Sequence, residues 1–404
     1  MNLSKRILAI ALLFIAWNNL QSQNFSTAYI SGRANADDVH TAVPFLMITP
    51  DARAAAMGET GVATSPDVYS MHWNIAKLAC AEKKFGAGFS YTPWLRALVP
   101  GIDLGYLSLY MKPDSLSALS ASVRYFSREE IAFTNSTGAT LGQFKPYEYA
   151  VDFGYSRKIS KYWSLGVAAR YIKSELTNGI NAGNQSTRPG RSVGFDFGAY
   201  YSNGNRYKVF GRPTVMTMGG AITNVGNKMN YFFGGPGEFL PINLRLGQGI
   251  KIAFGSRQDL SFQYELNKLL VPTQPVYGTN AAGQPYIIAG KDPNVTVPAG
   301  MVHSFYDAPG GAREELAEIT VSAGAEYVYN KTFALRTGYF YEAKTKGNRQ
   351  YLTLGAGVKF NFVSLDFAYL IPTNGQRSPL QNTLRFSLQF QFDRFKNKAP
   401  LKKS

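Results

Sequence analysis

The sequence feature that most limits the fold is a long succession of segments in which apolar and polar residues alternate, from residue 84 to residue 392. In residues 259–268, for example, four large apolar side chains fall on one face of an extended strand and four polar side chains fall on the other. A period of two residues is typical of a strand whose faces meet different environments. The alternation therefore predicts an all-β protein built from many such strands.

The predicted strands have about the nine to eleven residues that a tilted strand needs to cross a membrane. There are fourteen of them, at residues 84–91, 102–112, 117–127, 146–157, 163–174, 191–202, 215–225, 242–254, 259–268, 317–329, 332–343, 350–361, 363–371 and 382–392. With an even number of antiparallel strands, the barrel can close while its first strand begins and its last strand ends on the same side of the membrane. We therefore predict a transmembrane antiparallel β-barrel of about fourteen strands.

The connections between these strands alternate in length, which is an independent indication of a membrane barrel. The long connections are residues 92–101, 128–145, 175–190, 226–241 and 269–316, and the short ones include 113–116, 158–162, 255–258 and 330–331. Membrane barrels combine long outer loops with short periplasmic turns. The start of the first strand and the end of the last strand are therefore predicted to lie on the periplasmic side.

Composition agrees with a membrane barrel. Only 17% of the residues are charged, whereas soluble domains have about a quarter. The mean hydropathy is -0.16, and no apolar run is long enough to cross a bilayer as a helix. A barrel combines such an average with an apolar outer face, because its hydrophobic residues alternate with polar ones.

The first residues predict export. Lys5 and Arg6 precede an apolar run from Ile7 to Trp17, which has the length and flanks of a signal peptide, assigned to residues 1–23. We divide the mature chain into a periplasmic lead and plug at residues 24–83, a barrel at 84–392 and a basic periplasmic tail at 393–404. The predicted location is the cell outer membrane.

The formal net charge is +16, and export argues against nucleic acid as the partner of this charge. We expect positive barrel rims that meet membrane lipid, lipopolysaccharide phosphates or acidic proteins. The single cysteine, Cys80, excludes an internal disulfide and a cysteine-built metal site. We expect Cys80 to be a buried small apolar residue.

The alternation also predicts a charged lumen. If the aromatic and aliphatic faces point to lipid, the inward set contains Arg124, Glu148, Asp152, Arg170, Asp196, Arg245, Glu265, Glu326, Arg336, Asp366 and Arg385. The opposite register would expose charges to hydrocarbon at a cost of about 2–4 kcal/mol for each arginine at mid-depth. Two interpretations remain: the charges join the barrel to a plug, or they line a selective conduit.

Residues Pro44 to Ala79 do not alternate, and glycine and proline interrupt them too often for one long helix. They predict a compact plug, or hatch, packed against the barrel. The residues expected to shape or gate it are Asp51, Arg53, Met57, Gly58, Gly61, His72, Trp73 and Asn74. For His72, next to Trp73, we expect a structural hydrogen bond rather than catalysis.

The strings PDARAAAMGETGVATSPD and HWNIAKLA within this stretch resemble the N-terminal signature of the PorV family of type IX secretion proteins. Further similar strings are GGAITNVGNKMNY, FLPINLRLGQGIK, RTGYFYE, YLTLGAGVKFN and PLQNTLRFSL, so the resemblance spans nearly the whole mature chain. Two positions depart from the family pattern: Ala55-Ala56 replace a pair of glycines, and Ile75 replaces a proline.

The resemblance implies a fold similar to the FadL fatty-acid channels and a role in protein secretion. Proteins of the PorV family lie in the outer membrane of Bacteroidetes. They associate with the translocon pore SprA, accept cargo carrying a C-terminal secretion domain, and deliver it to the surface sortase PorU. By this analogy the chain is expected to bind and shuttle cargo.

The connection from Leu269 to Leu316 is far longer than a barrel needs, and loops of that length are usually functional or disordered. Its aromatic residues are Tyr277, Tyr286, Phe305 and Tyr306. We interpret it as a candidate surface for cargo or partner proteins, with a simple solvated loop as the alternative.

Residues typical of catalysis are sparse. The three histidines, His40, His72 and His303, lie at no metal-ligand spacing, and no G-x-S-x-G elbow occurs. We therefore predict no enzyme, no metal and no cofactor. The alternative function is a FadL-like channel for hydrophobic small molecules, which requires an apolar lumenal pocket. An outer-membrane hydrolase is the third hypothesis and lacks a recognisable nucleophile and base.

Overall fold

The computed structural model describes residues 39–94, 101–134, 140–179, 186–204, 207–235, 237–373 and 383–393. Fourteen antiparallel strands form the barrel. They are β1 (Phe85–Pro93), β2 (Asp103–Met111), β3 (Ser117–Ser127), β4 (Tyr147–Lys158), β5 (Trp163–Glu175), β6 (Gly190–Ser202), β7 (Arg212–Gly226), β8 (Asn243–Ala253), β9 (Gln258–Leu269), β10 (Thr320–Tyr329), β11 (Phe333–Tyr341), β12 (Gln350–Phe360), β13 (Val363–Pro372) and β14 (Leu384–Phe392).

Each strand pairs with its neighbours in sequence, and β1 pairs with β14 from Phe85↔Phe392 to Tyr91↔Phe386, which closes the barrel. The prediction of fourteen strands is confirmed, and every predicted strand end lies within three residues of the observed one. The starts of β7 and β10 differ by the full three residues; at β10 the reason is that residues 317–319 complete and follow a short helix, Ala312–Ala317.

The predicted register of the faces is also observed. Large apolar side chains such as Phe153, Val167 and Leu335 are exposed on the outer face, whereas charged side chains are buried on the inner face. Within the described ranges, no helix is both long and apolar enough to cross a membrane.

Residues 39–83 form what we call the N-terminal segment. It contains two 3₁₀ turns, Pro44–Met47 and Ile75–Cys80, and two four-residue helices, α1 (Ala52–Ala55) and α2 (Ser70–Trp73). These elements are too short to be stable alone. The segment packs against the inner face of the barrel, and its contacts come from strands around the whole circumference, including β2, β7, β12 and β14.

The start of the segment lies at the end of the barrel that carries the long connections. The backbone N–H of Ala42 donates to the carbonyl of Phe239, between β7 and β8. Val43 and Phe45 belong to an apolar cluster with Leu240. Residues 39–43 thus differ from the predicted polar periplasmic lead, because their apolar side chains find a buried site at the opposite end. The rest of that lead, residues 24–38, the signal peptide and tail residues 394–404 lie outside the described residues.

The connection between β9 and β10 is folded. We call residues 270–319 the outer assembly. It contains a hairpin of Val276–Thr279 with Pro285–Ala289, and two short helices, α3 (Val297–His303) and α4 (Ala312–Ala317). Another hairpin, Ile131–Thr134 with Thr140–Phe144, extends the connection between β3 and β4. Residues Tyr207–Val209 pair with the start of β7 at the short-turn end.

Candidate functional site

Hydroxyl side chains of the barrel wall bond to the backbone of the N-terminal segment. The N–H of Ala52 donates to Ser387 Oγ (2.8 Å), and the N–H of Gly58 donates to Thr353 Oγ1 (2.9 Å). Further hydroxyls donate to segment carbonyls: Ser108 to Val68 (2.8 Å), Ser164 to Ala76 (2.8 Å) and Thr217 to Ala63 (2.7 Å). The wall thus supplies partners to backbone groups at five positions of the segment, where short helices leave N–H and C=O groups without a helical partner.

Close backbone approach fixes the predicted residues Met57 and Gly58 against β11. Gly58 has φ +67°, a left-handed conformation that glycine adopts without strain. A Cβ atom at Gly338 would lie 2.1 Å from both Gly58 N and Met57 C. Because Gly338 has no side chain, the backbone of residues 57–58 can lie directly against β11. A side chain at position 338 would displace these residues.

The predicted plug residue Arg53 joins the segment to β10 and β11. Its Nη1 donates to Asp67 (2.9 Å), and its Nε and Nη2 donate to the two oxygens of Glu326 (3.0 and 2.9 Å). Glu326 also accepts from Arg336 Nε (2.7 Å), and Arg336 donates to Asp366 (2.7 Å). These buried charges form one continuous alternating chain from the segment into the wall.

A second junction lies around Glu265 on β9. One of its oxygens accepts from the N–H groups of both Gly61 and Val62, at 2.7 and 2.8 Å. Its other oxygen accepts from Arg245 (3.2 Å), and the Arg245 guanidinium lies 4.8 Å from the ring of Trp73. A buried carboxylate thus holds a segment turn through two charge-assisted bonds.

Within the segment, Asp51 caps α1 by accepting from the Ala54 N–H (2.8 Å), and it also accepts from the Trp73 indole (2.7 Å). Asn74 donates to the carbonyls of Val62 (3.1 Å) and of Ala199 on β6 (2.9 Å). The predicted plug residues therefore lie together, and they connect the two halves of the segment to each other and to the wall.

A third junction involves Arg124 on β3, which is fully buried. It donates to the Leu46 carbonyl (2.8 Å), and its other terminal nitrogen lies 3.0 Å from His72 Nδ1. His72 also packs edge-on against Trp73 at 4.8 Å. His72 therefore lies between an arginine of the wall and a tryptophan of its own segment.

The remaining predicted lumen charges are also inward and partnered. Arg170 bonds to Asp152 and, at 2.9 Å, to Asp196. Glu148 accepts from Arg128 (2.9 Å). The structure therefore divides these charges into two sets. Five of them contact the segment directly, and the others pair along the wall; the five are Arg124, Arg245, Glu265, Glu326 and Arg385.

Sequence reasoning missed two segment residues at these junctions. Glu59 accepts from Arg385, at 3.3 Å. Lys77 is fully buried and donates to the carbonyl of Gly61 and to Thr64 Oγ1, both at 2.7 Å. A lysine inside the apolar run IAKLA was the available signal. Cys80 differs from its prediction: it is only partly buried, since it ends the last turn of the segment, and its Sγ contacts Ser164 Oγ at 3.6 Å.

Buried ion pairs hold the outer assembly to the barrel. Lys268, at the end of β9, donates to Glu315 (3.0 Å) and Glu318 (2.7 Å). Lys346, between β11 and β12, also donates to Glu318 (3.0 Å). Asp307 accepts from the Thr273 N–H (3.2 Å), and burial together with the nearby Glu315 and Glu318 raises the pKa of Asp307 to about 6. The long connection is thus an ordered structure rather than the solvated loop that sequence left as the alternative.

The aromatic residues predicted for partner binding are exposed on this assembly. Tyr277, Tyr286, Phe305 and Tyr306 each expose about half of their surface, at 54%, 51%, 52% and 51%. Val302 and Leu316, which sequence reasoning did not single out, are also exposed. The ion pairs described above hold the backbone that carries these side chains. The outer assembly therefore presents an apolar surface with a defined shape.

A cavity of about 280 Å³ lies at the long-connection end, between the start of the N-terminal segment and three of the long connections. Its lining includes Val43, Glu148, Leu176, Tyr231 and Phe232. Among the described residues no group of three or more histidines, cysteines or carboxylates is arranged to hold a metal ion.

Residues 31–276 match the family model described as Type IX secretion system protein PorV. No curated protein shows significant sequence similarity to the chain. Among solved structures, the Ralstonia pickettii toluene transporter TbuX is 14% identical with a TM-score of 0.47, and the match covers 85% of this chain and 98% of that one. A Pseudomonas aeruginosa FadL homologue is 14% identical with a TM-score of 0.45, covering 85% and 99%.

Proposed function

Because the chain belongs to the family of the type IX secretion system protein PorV and is an outer-membrane barrel of that system, we propose that it binds cargo and partner proteins through its outer assembly. The observation that carries this proposal is the combination of a filled lumen with an ordered, exposed apolar surface outside it. Cargo would then pass along the barrel's outer end rather than through it.

The partners implied by the family are the translocon pore SprA, cargo with a C-terminal secretion domain, and the sortase PorU. In the proposed mechanism, Phe305, Tyr306, Val302 and Leu316 bury apolar surface against the folded cargo domain as it leaves the pore. Half-exposed aromatic side chains are the residues that most often dominate protein interfaces. The ion pairs of Lys268 and Lys346 support this surface, so little ordering entropy opposes binding.

The N-terminal segment is proposed to seal the lumen while cargo is handled outside. Support for this role comes from Glu265, Glu326 and Arg385, which bond the segment to β9, β10 and β14. A conduit lined by the same charges would require these bonds to break. The sealing role therefore fits the inward charges better than selective conduction does.

The test changes apolar side chains of the outer assembly without touching its ion pairs. Phe305→Ser with Tyr306→Ser should leave cargo inside the cell envelope, measured as loss of protease-accessible cargo at the cell surface. Purification of the tagged variant should also recover less translocon pore and sortase. Phe233→Ser is the matched control, because Phe233 is 66% exposed in a different connection of the same end.

Normal surface delivery in the Phe305/Tyr306 variant, and again after deletion of residues 276–289, would remove this assignment of the docking surface. Heat-modifiable migration of the barrel in gels should be unchanged in all these variants, which shows that the wall is intact. If only the Phe233 variant lost surface delivery, the docking surface would instead be assigned to the connection between β7 and β8.

The second candidate, a channel for hydrophobic small molecules, is favoured by one observation, the cavity at the long-connection end. The apolar lumenal pocket that this function requires is instead occupied by Phe45 and Leu46 of the segment. A hydrocarbon or lipid that co-purifies with the barrel, and is lost when Leu176→Asp places a charge in the cavity, would support the channel.

A further inference from the structure

The two rims of the barrel differ in charge. Among the described residues, the connections at the long end carry nine lysines and arginines and nine aspartates and glutamates, so they have no net formal charge. The described turns between strands at the other end carry Lys112, Lys161, Lys208, Arg257 and Lys331 and one carboxylate, Asp114. Within the described ranges, the excess of positive charge in the connections therefore lies at the short-turn rim.

Strand ends strengthen this difference. Arg157, Lys158, Arg212, Lys251 and Lys359 lie within three residues of the short-turn ends of their strands, where the described strands contribute one carboxylate, Asp259. Most of these side chains are exposed, as are those of the turns. The cations are thus available to a partner outside the chain.

Apolar side chains lie at the same level as these cations. Trp163, Phe254, Phe333, Phe360 and Phe362 begin, follow or end strands at this rim, and all are exposed. The Arg212 guanidinium lies 4.6 Å from the ring of Phe254, and Lys161 lies 5.7 Å from the ring of Tyr162. Rings at the hydrocarbon boundary with cations beyond them match the order of groups in a lipid leaflet.

The hairpin tip before β7 also combines an exposed aromatic ring with neighbouring cations. Phe210 is 94% exposed and has φ 50°, a left-handed conformation that is unfavourable for a bulky residue. Lys208 and Arg212 flank it. Insertion of the exposed ring into a leaflet, with the two cations at the headgroups, would offset the cost of this exposure.

We propose that the short-turn rim binds the phosphate headgroups of anionic phospholipids in the leaflet on that side of the membrane. The loop-length rule places this leaflet toward the periplasm, so the ligand is a phospholipid and not lipopolysaccharide. Lysine and arginine side chains near a membrane surface are attracted to anionic headgroups, and the attraction falls with ionic strength. The inference does not depend on the cargo-binding proposal.

Trp163 provides a local probe for the test. It is exposed to the outside at the start of β5, next to the Lys158 and Lys161 side of the rim. Trp73 is buried, and Trp94 packs near Arg385, 5.7 Å from its guanidinium, so neither contacts lipid. In vesicles that contain brominated lipid, quenching of tryptophan fluorescence therefore reports on lipid at this rim.

The full mature chain is reconstituted with brominated phosphatidylglycerol diluted into phosphatidylcholine, and separately with brominated phosphatidylcholine. We expect phosphatidylglycerol to associate at Trp163 about threefold more strongly. The triple variant Lys158→Gln, Lys161→Gln and Lys208→Gln should reduce this ratio to about one, and so should about 0.5 M salt.

The control moves the probe to the other rim. Trp163→Phe with Tyr125→Trp places an outward tryptophan near the long-connection end of β3, where the charge is balanced, and no lipid preference is expected there. An unselective Trp163, a selectivity that survives both neutralisation and salt, or equal selectivity at the two rims would each overturn the proposal.

Discussion

Glu326 is the residue whose change should most clearly separate the N-terminal segment from the barrel wall. It accepts two bonds from Arg53 of the segment and one from Arg336 of the wall, and its side chain is 8% exposed. Glu326→Gln keeps the shape of the side chain and removes its charge, which leaves one buried arginine on each side with a single carboxylate. Breaking a buried pair in this way costs about 3–5 kcal/mol.

The cost falls on the docked segment, because the wall keeps its strand-to-strand hydrogen bonds. A loss of about 3 kcal/mol would raise the population of undocked segment by about 150-fold. The assay is amide hydrogen exchange of the detergent-solubilised barrel, read at Ala55, Met57 and Gly58, whose N–H groups are bonded in the docked state. Exchange at these amides should accelerate by about two orders of magnitude, while exchange in β2 to β7 stays unchanged.

Asp366→Asn provides the matched control. Asp366 is as deeply buried and accepts from Arg336 and Gln389, but both partners belong to the wall. This variant should leave exchange at Ala55 to Gly58 within about threefold of the unmodified chain, well inside the change predicted for loss of a segment bond. Equal acceleration in both variants, or none in Glu326→Gln, would refute the assignment of Glu326 as a segment junction.

Three further predictions concern packing, pH and the outer assembly. Gly338→Ala should expel residues 57–58 from the wall and cost about 1–3 kcal/mol, seen as protease cleavage within the segment, whereas Gly105→Ala, where no atom lies within 4 Å of the added Cβ, should not. Asp307 has a folded pKa of about 6, above its ordinary value of 3.8. Its contribution to the stability of the outer assembly is therefore complete below about pH 4 and is lost as the pH rises through 6. After correction for the intrinsic exchange rate at each pH, the protection factors of residues 270–319 should be larger at pH 5 than at pH 7, and Asp307→Asn should abolish the difference. Lys268→Met leaves Glu315 and Glu318 without this cation and should loosen the outer assembly by about 3 kcal/mol, measured as cleavage between residues 270 and 319 with an intact barrel.

The barrel could be predicted because its signals are local. The inner and outer faces of β9 follow from the order of residues 259–268 alone, and the inward position of Glu265 follows from the cost of exposing it to lipid. The contact of Gly338 with Gly58 could not be predicted in the same way. It joins residues far apart in sequence, and a glycine in a strand indicates a close approach without naming what approaches.

The N-terminal segment and the outer assembly were less predictable for a related reason. Helices of four to seven residues carry too few turns for a period to be recognised, so α3 and α4 were not expected in the long connection. Val39 to Val43 were assigned to a polar lead, although Ala42 and Val43 are buried beside Phe239. A run of two or three apolar residues does not indicate where in the fold it will be buried. Only the tertiary structure shows which end of the barrel offers it a buried site.

The bonds of the segment also bear on whether the lumen opens. Undocking would break the contacts of Arg53 with Glu326, of Glu265 with two N–H groups, of Arg385 with Glu59 and of Arg124 with Leu46. If each junction is counted as a single charge-assisted bond of about 1.5–3 kcal/mol, the four junctions together oppose opening by at least about 6–12 kcal/mol. A minor state that takes part in function usually lies within a few kcal/mol of the major one. We therefore expect the segment to stay docked unless a partner supplies that energy, which favours a function at the outer surface over passage through the barrel.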